Sequence, residues 1–147
     1  MNPTSLRRSS LYIGGGSPAK MLEARFSNAD CIVYDLEDSV ASADKDAARL
    51  LVYRAVRYHR PSGKYVLIRV NGLYSAELEE DLEASVRARP DALRLPKVER
   101  AEEVRRIDAR VTEIEVEAGI PQGTIELWCN IESALGVANA CEIATAS

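Results

Sequence analysis

The sequence predicts an α/β fold: the N-terminal five βα units of a (β/α)8 TIM barrel, with parallel strands inside and helices outside. Three observations carry this. Short apolar runs alternate strictly with stretches of helical periodicity, an order that demands a parallel sheet covered by helices. The strands also alternate in polarity. A barrel wall produces that pattern, because one face meets the helices while the lumen face turns polar towards the C-terminal mouth; a doubly wound sheet would favour continuous apolar runs. Finally, 147 residues suffice for five units, whereas a whole barrel takes about 250. The expected domain is residues 1–147 as a single incomplete barrel whose last three strands are absent.

The elements follow in order. Leu11–Ile13, Cys31–Leu36, Tyr65–Val70, Ala92–Leu95 and Ile125–Ile131 are the strands. In the last, Ile125, Leu127, Cys129 and Ile131 share one face and Glu126, Trp128, Asn130 and Glu132 the other. In the third, Val66, Ile68 and Val70 oppose Tyr65, Leu67 and Arg69. Pro18 suits the first turn of the first helix, with Ser17 as its cap. The segment 42–59 places Ala48, Leu51, Val52, Ala55 and Val56 on one helical face. The next helix carries Leu78, Leu82 and Val86; the fourth carries Val104, Ile107, Val111 and Ile114. Pro61 with Gly63, then Pro90, then Gly119 with Pro121 end these helices. A fifth helix begins near Ser133.

Composition narrows the function classes. A net charge of −4 and a pI near 5.1 argue against a dedicated nucleic-acid binder. There is no signal peptide, and no apolar stretch approaches the ~20 residues of a membrane span. A cytoplasmic protein is expected, with no nucleic-acid or membrane partner. Cys31, Cys129 and Cys141 fit no metal spacing and are expected to be buried, reduced thiols. His59 ends a helix. Gly14-Gly15-Gly16 suits an anion-binding loop but matches neither the dinucleotide nor the P-loop pattern.

In barrels, chemistry collects at the C-terminal ends of the strands. The second strand ends in Asp35-Leu36-Glu37-Asp38, which could bind a metal, supply a base or simply form a solvated turn. Arg69 ends the third. A guanidinium inside an apolar strand cannot titrate away its charge and needs an anion: a substrate carboxylate, or an internal partner such as Glu132 or the Asp35 cluster. Lys97 follows the fourth strand and would either neutralise these carboxylates or extend to solvent. Glu132 follows the fifth. Its carboxylate suits Mg²⁺, and equally suits a helix N-terminus.

Taken in order, Arg8-Ser9-Ser10-Leu11-Tyr12-Ile13, Tyr34-Asp35-Leu36-Glu37-Asp38-Ser39-Val40, Arg69-Val70-Asn71-Gly72, Leu95-Pro96-Lys97-Val98-Glu99 and Ile131-Glu132-Ser133-Ala134-Leu135-Gly136-Val137 resemble the N-terminal portion of citrate lyase β subunit-like proteins of the HpcH/HpaI aldolase/citrate lyase superfamily. The resemblance implies a barrel assembled as trimers or hexamers. It implies a Mg²⁺-dependent carbon–carbon lyase acting on a citryl-, malyl- or citramalyl-type 3-hydroxyacyl thioester of CoA or acyl-carrier protein. The products would be a 2-oxo acid and an acyl thioester. Arg69 matches the arginine that holds the substrate carboxylate, and Glu132 the glutamate that binds Mg²⁺ and contacts substrate. Tyr12 and Lys20 lie where relatives contact the thioester; Glu37 and Asp38 are the candidate bases.

Two departures stand out. Ile13-Gly14-Gly15 replaces the family's Val-Pro-Gly, and the family's second metal ligand, an aspartate after the sixth strand, has no counterpart up to Ser147. The expectation is therefore that this chain alone is inactive and associates through open strand edges. An inactive remnant serving as an interaction module, and an aldolase acting on free 2-oxo acids, are the competing readings.

Overall fold

The computed structural model describes residues 6–147. Its strands pair in parallel and in chain order: β1 (Ser10–Gly14), β2 (Cys31–Asp35), β3 (Tyr65–Arg69), β4 (Ala92–Leu95) and β5 (Glu126–Cys129). Between and after them come α1 (Pro18–Glu23), α2 (Lys45–Tyr58), α3 (Leu78–Ala88), α4 (Ala101–Glu117), α5 (Ala134–Ala138) and α6 (Ala140–Ala144). These are the first five βα units of a TIM barrel. The β2 and β3 ladders fray one residue before the apolar runs end, although Leu36 and Val70 still donate their N–H groups to the carbonyls of Arg69 and Arg94.

The alternation read from the sequence divides the core in two. Ile32, Tyr34, Val66, Ile68 and Leu93 face the helices and pack with Val52, Leu82, Val104 and Ile107. Cys31, Val33, Tyr65, Leu67 and Ala92 face the lumen, where Trp128 packs against them. The sheet is strongly curled. Arg7, just before β1, pairs with Glu126 of β5 at 2.9 Å and lies 3.7 Å from the centre of the Tyr65 ring. In a flat sheet β1 and β5 would stand roughly 19 Å apart, beyond such a bridge.

The helix ends show where backbone and side chains settle what propensity left open. Ser17 precedes α1 as expected, but its side chain makes no capping bond; Pro18 alone starts the helix. The fifth helix begins after Ser133, whose Oγ accepts the Gly136 N–H. It then breaks at Asn139, because Asn139 Nδ2 donates to the Glu99 carbonyl and ties the chain to the loop after β4. Glu115, fully buried, accepts N–H groups from Gly123, Thr124 and Ile125 and so joins the end of α4 to the start of β5. Of the three thiols, Cys31 is buried as expected and Cys129 half-buried. Cys141 is exposed, because α6 turns that face away from the core.

The glycine run has a steric role. Gly15 donates its N–H to the Asp35 carbonyl at 2.7 Å. A Cβ there would meet that oxygen at 2.9 Å, Leu36 Cδ2 at 3.1 Å and the Ala48 methyl at 3.2 Å, whereas a Cβ at Gly16 meets nothing. The loop therefore serves close approach of β1, β2 and α2, and the anion-binding role suggested by its sequence gains no support, since α1 is only one and a half turns long. Gly15→Ala is expected to lower unfolding stability by about 1–3 kcal/mol. Gly16→Ala should stay within about 0.5 kcal/mol of the parent. Urea unfolding of the two variants side by side checks this.

Candidate active site

The parallel register sets one row across the C-terminal half of the sheet: Gly14, Asp35, Arg69, Arg94 and Trp128 stand side by side on neighbouring strands. The side chains of Asp35, Arg69, Arg94 and Trp128 share the lumen face. The row is polar because it lies towards the mouth, one layer above the apolar plug.

Arg69 is its centre. Nε and Nη2 donate to the two oxygens of Asp35 at 2.7 and 2.8 Å, a bidentate pair. Nη1 lies 2.8 Å from Glu37 Oε2 and 3.6 Å from Asp38 Oδ2. Of the two partners left open by the sequence, the internal one is therefore realised in the ligand-free chain, with the Asp35 cluster rather than Glu132. Burial alone would raise the Asp35 carboxyl. The hydrogen bonds from Arg69, Ser39 and the Glu37 N–H outweigh it, and the group titrates below its usual range. The hydrogen bond to Asp35, with burial opposing it and the charges of Asp35, Glu37 and Asp38 adding to it, pushes Arg69 further up. The pair is charged at any physiological pH.

The loop after β2 is built on this pair. Asp35 also accepts the N–H groups of Glu37 and Ser39. Glu37 is buried and accepts from Lys97 Nζ at 2.9 Å, whereas Asp38 is two-thirds exposed. Lys97 does both things the sequence allowed: its ammonium reaches solvent and still neutralises Glu37. The hydrogen bond to Glu37 raises its pKa, with Asp38 and Glu132 adding to the effect. Its backbone is left-handed, φ 52°, a conformation found in a non-glycine residue mainly where the surroundings enforce it.

Lys45, unmarked in the sequence, holds the loop from beneath. Its ammonium donates to the carbonyls of Leu36 and Glu37 and to Asn71 Oδ1, each within 2.7 Å. Asn71 is fixed in turn by Asp81, which accepts both its backbone and side-chain N–H groups. Arg49 closes the network on Asp46, Glu77, Glu80 and Asp81. Three of these carboxylates, Asp46, Glu77 and Glu80, lie close enough to hold a cation. Arg49 already supplies that charge, so they form a brace between α2 and α3.

The remaining expected residues divide. Tyr12 joins the cluster from β1: its ring centre is 5.3 Å from the Arg69 guanidinium and its hydroxyl accepts from Arg94 Nη1. Glu132 lies at the same end of the sheet, exposed, accepting only from Asn130 Nδ2, and its charge acts on Lys97. Among the described residues it is in no ion pair, so a hard oxygen donor remains available to a divalent cation there. Lys20 is exposed on α1, and among the described residues its ammonium makes no hydrogen bond or ion pair.

Arg94 is the residue sequence reasoning missed. It lies inside Ala92-Leu93-Arg94-Leu95, and the argument applied to Arg69, a guanidinium within an apolar strand, applies to it equally.

A parallel curled sheet with a charged row at its C-terminal edge defines an enzyme-type barrel half. Comparison with known proteins gives the family. Residues 8–147 match the model of the HpcH/HpaI aldolase/citrate lyase family, and the chain belongs to it. It is 43% identical over its whole length to citrate lyase subunit beta of Leuconostoc mesenteroides subsp. cremoris, covering 49% of that protein. It is 40% identical over 99% of its length to an L-malyl-CoA/beta-methylmalyl-CoA lyase of Rhodobacter capsulatus, covering 46% of it. Among solved structures, a citrate lyase beta subunit of M. tuberculosis complexed with oxaloacetate and magnesium superposes with a TM-score of 0.71, at 28% identity over 98% of this chain and 57% of that one. The chain spans about half the length of the curated relatives it matches.

Arg69→Met is expected to cost about 3–5 kcal/mol at neutral pH, because it leaves the Asp35 carboxylate buried and unpaired. In the parent the lowered Asp35 pKa contributes stability above the usual carboxylate range, and this is lost as pH falls through the lowered value. In the variant the bond and charge of Arg69 are lost and only the bonds from Ser39 and the Glu37 N–H oppose burial, so the Asp35 pKa rises and protonation relieves more of the cost. The stability gap between the two should therefore be narrower at about pH 5 than at about pH 7, measured by urea unfolding.

Proposed function

We propose that this chain carries substrate- and metal-binding residues of a cytoplasmic carbon–carbon lyase that cleaves, or in reverse forms, a 3-hydroxyacyl thioester of the citryl, malyl or citramalyl type. Family membership supports the lyase chemistry. The observation that supports the site assignment is Arg69 at the C-terminal end of β3, held by Asp35 through Nε and Nη2, with Nη1 beside Glu37 and the exposed Asp38. In this reading a substrate carboxylate takes that side of the fork and displaces Glu37 or Asp38 from it.

Glu132 offers the carboxylate that would hold Mg²⁺, with water and substrate oxygens completing its shell. The bound ion would supply Lewis-acid polarisation of the substrate hydroxyl and carboxylate. The chain's own residues do the rest. Arg69 orients the carboxylate and offsets charge as the bond between the hydroxyl-bearing carbon and the α-carbon of the thioester breaks. Glu37, gripped by Lys97 and Arg69, is poorly placed to accept a proton. Asp38, exposed at the rim, is the better candidate of the two to receive the hydroxyl proton. Cleavage leaves a 2-oxo acid and a thioester enolate, which takes up a proton to give the acyl thioester. Tyr12 at the rim would flank the thioester arm; Lys20, set apart on α1, would meet only a distal part of the carrier, CoA or acyl-carrier protein. A homo-oligomer, trimer or hexamer, is part of the same reading.

Glu132→Gln is expected to weaken Mg²⁺ binding at least tenfold while leaving the unfolding midpoint near the parent's, since the residue is exposed and holds no ion pair among the described residues. Calorimetric titration with MgCl₂ measures the first and urea unfolding the second. Parent-like Mg²⁺ affinity in the variant removes the metal role. Cleavage of citryl-CoA against malyl-CoA by the protein tests the reaction itself.

A further inference from the structure

A separate cavity lies on the helix layer, in the groove between α1 and α2, and none of the residues lining it belongs to the polar row. α1 has only six residues, about 9 Å of helix, and Arg54, Arg57 and Tyr58 in the second half of α2 stay exposed. Met21, Leu22, Leu51 and Ala55 give the groove apolar walls around about 220 Å³. The polar side chains that line it are those of Arg54 and His59.

The charge around this groove is one-sided. α1, the turn after it and the second half of α2 carry Lys20, Arg25, Arg54 and Arg57, all exposed, against one carboxylate, Glu23. Among the described residues none of these four cations is in an ion pair; Arg25 donates only to the Leu22 carbonyl. Elsewhere on the helix layer Arg49, Arg87 and Arg110 all meet carboxylates, and the chain as a whole is acidic, at −4. Free cations beside an apolar slot are complementary to an alkyl chain with an anionic head. The cavity is smaller than the about 300–1,000 Å³ of ordinary ligand clefts, so it suits one slender chain. A partner helix fits it poorly, because anchors at i and i+7 span roughly 10.5 Å, more than the length of α1.

We infer that the α1–α2 groove binds a medium-chain fatty carboxylate. Its alkyl chain lies between Met21, Leu22, Leu51 and Ala55, and its carboxylate pairs with Arg54, while the His59 imidazole offers an N–H in either protonation state. This site is independent of the function proposed above.

Calorimetric titration at low salt tests it with three probes: sodium decanoate, decyltrimethylammonium bromide and sodium acetate, the first two below their micelle concentrations. The parent should bind decanoate about fivefold or more tighter than the cationic chain, with the margin shrinking as NaCl is added. Acetate, which has the head without the chain, should give no binding heat. Leu22→Asp and Arg54→Glu should each weaken decanoate binding about fivefold or more, and Arg54→Lys should keep most of it. Both positions are exposed, so urea midpoints near the parent's report an intact fold. A parent that binds no decanoate overturns the proposal, including one that instead sediments with phosphatidylglycerol vesicles. Equal binding of the anionic and cationic chains overturns it too, because apolar contact alone would explain that result. So does parent-like decanoate affinity in Leu22→Asp and Arg54→Glu, which would put the ligand elsewhere on the molecule.

Discussion

A guanidinium cannot shed its charge, and Arg69 lies on the inner wall of a curled sheet where little water reaches it. That constraint organises the mouth. Asp35 must stand opposite it, and the parallel register of β2 and β3 brings the two into one row. Once fixed, Asp35 has oxygen lone pairs left over, and it uses them to cap the turn that follows β2. Glu37 is thereby turned inward to Lys97 and Asp38 outward to solvent. The placement of a candidate base at the rim is a consequence of satisfying one buried cation.

Support for that turn comes from the helix layer. Lys45 at the start of α2 gathers the carbonyls of Leu36 and Glu37 together with Asn71, and Asp81 of α3 fixes Asn71. Charged side chains thus reach the active face from two helices, through carbonyls and amides that would otherwise be left without partners. Below this layer Cys31, Val33, Leu67 and Ala92 are fully buried on the lumen face, and Trp128 of the row packs against them.

Much of this was readable beforehand because barrel walls impose a period of two. Tyr65, Leu67 and Arg69 opposite Val66, Ile68 and Val70 gave the lumen face and, with it, the direction of Arg69. The same logic covers Arg94, but a four-residue strand offers too short a period to stand out, and its neighbours Pro96-Lys97 draw the eye to the loop. Lys45 was invisible for a different reason: at a helix start a lysine is ordinary, and only the fold shows which carbonyls it meets. The break at Asn139 was hidden likewise, since it depends on a carbonyl forty residues away.

The sequence by itself determined the order of elements, the two faces of the third and fifth strands and the family, because these follow from local periodicity and from motifs that are contiguous in the chain. Only the tertiary structure decided which charges meet. Arg69 with Asp35, Lys97 with Glu37, and Arg94 with no carboxylate at all among the described residues are outcomes of strand register and sheet curvature. These are relations between segments distant in sequence, and electrostatic pairing falls off so steeply with distance that no reading of one segment at a time can assign it.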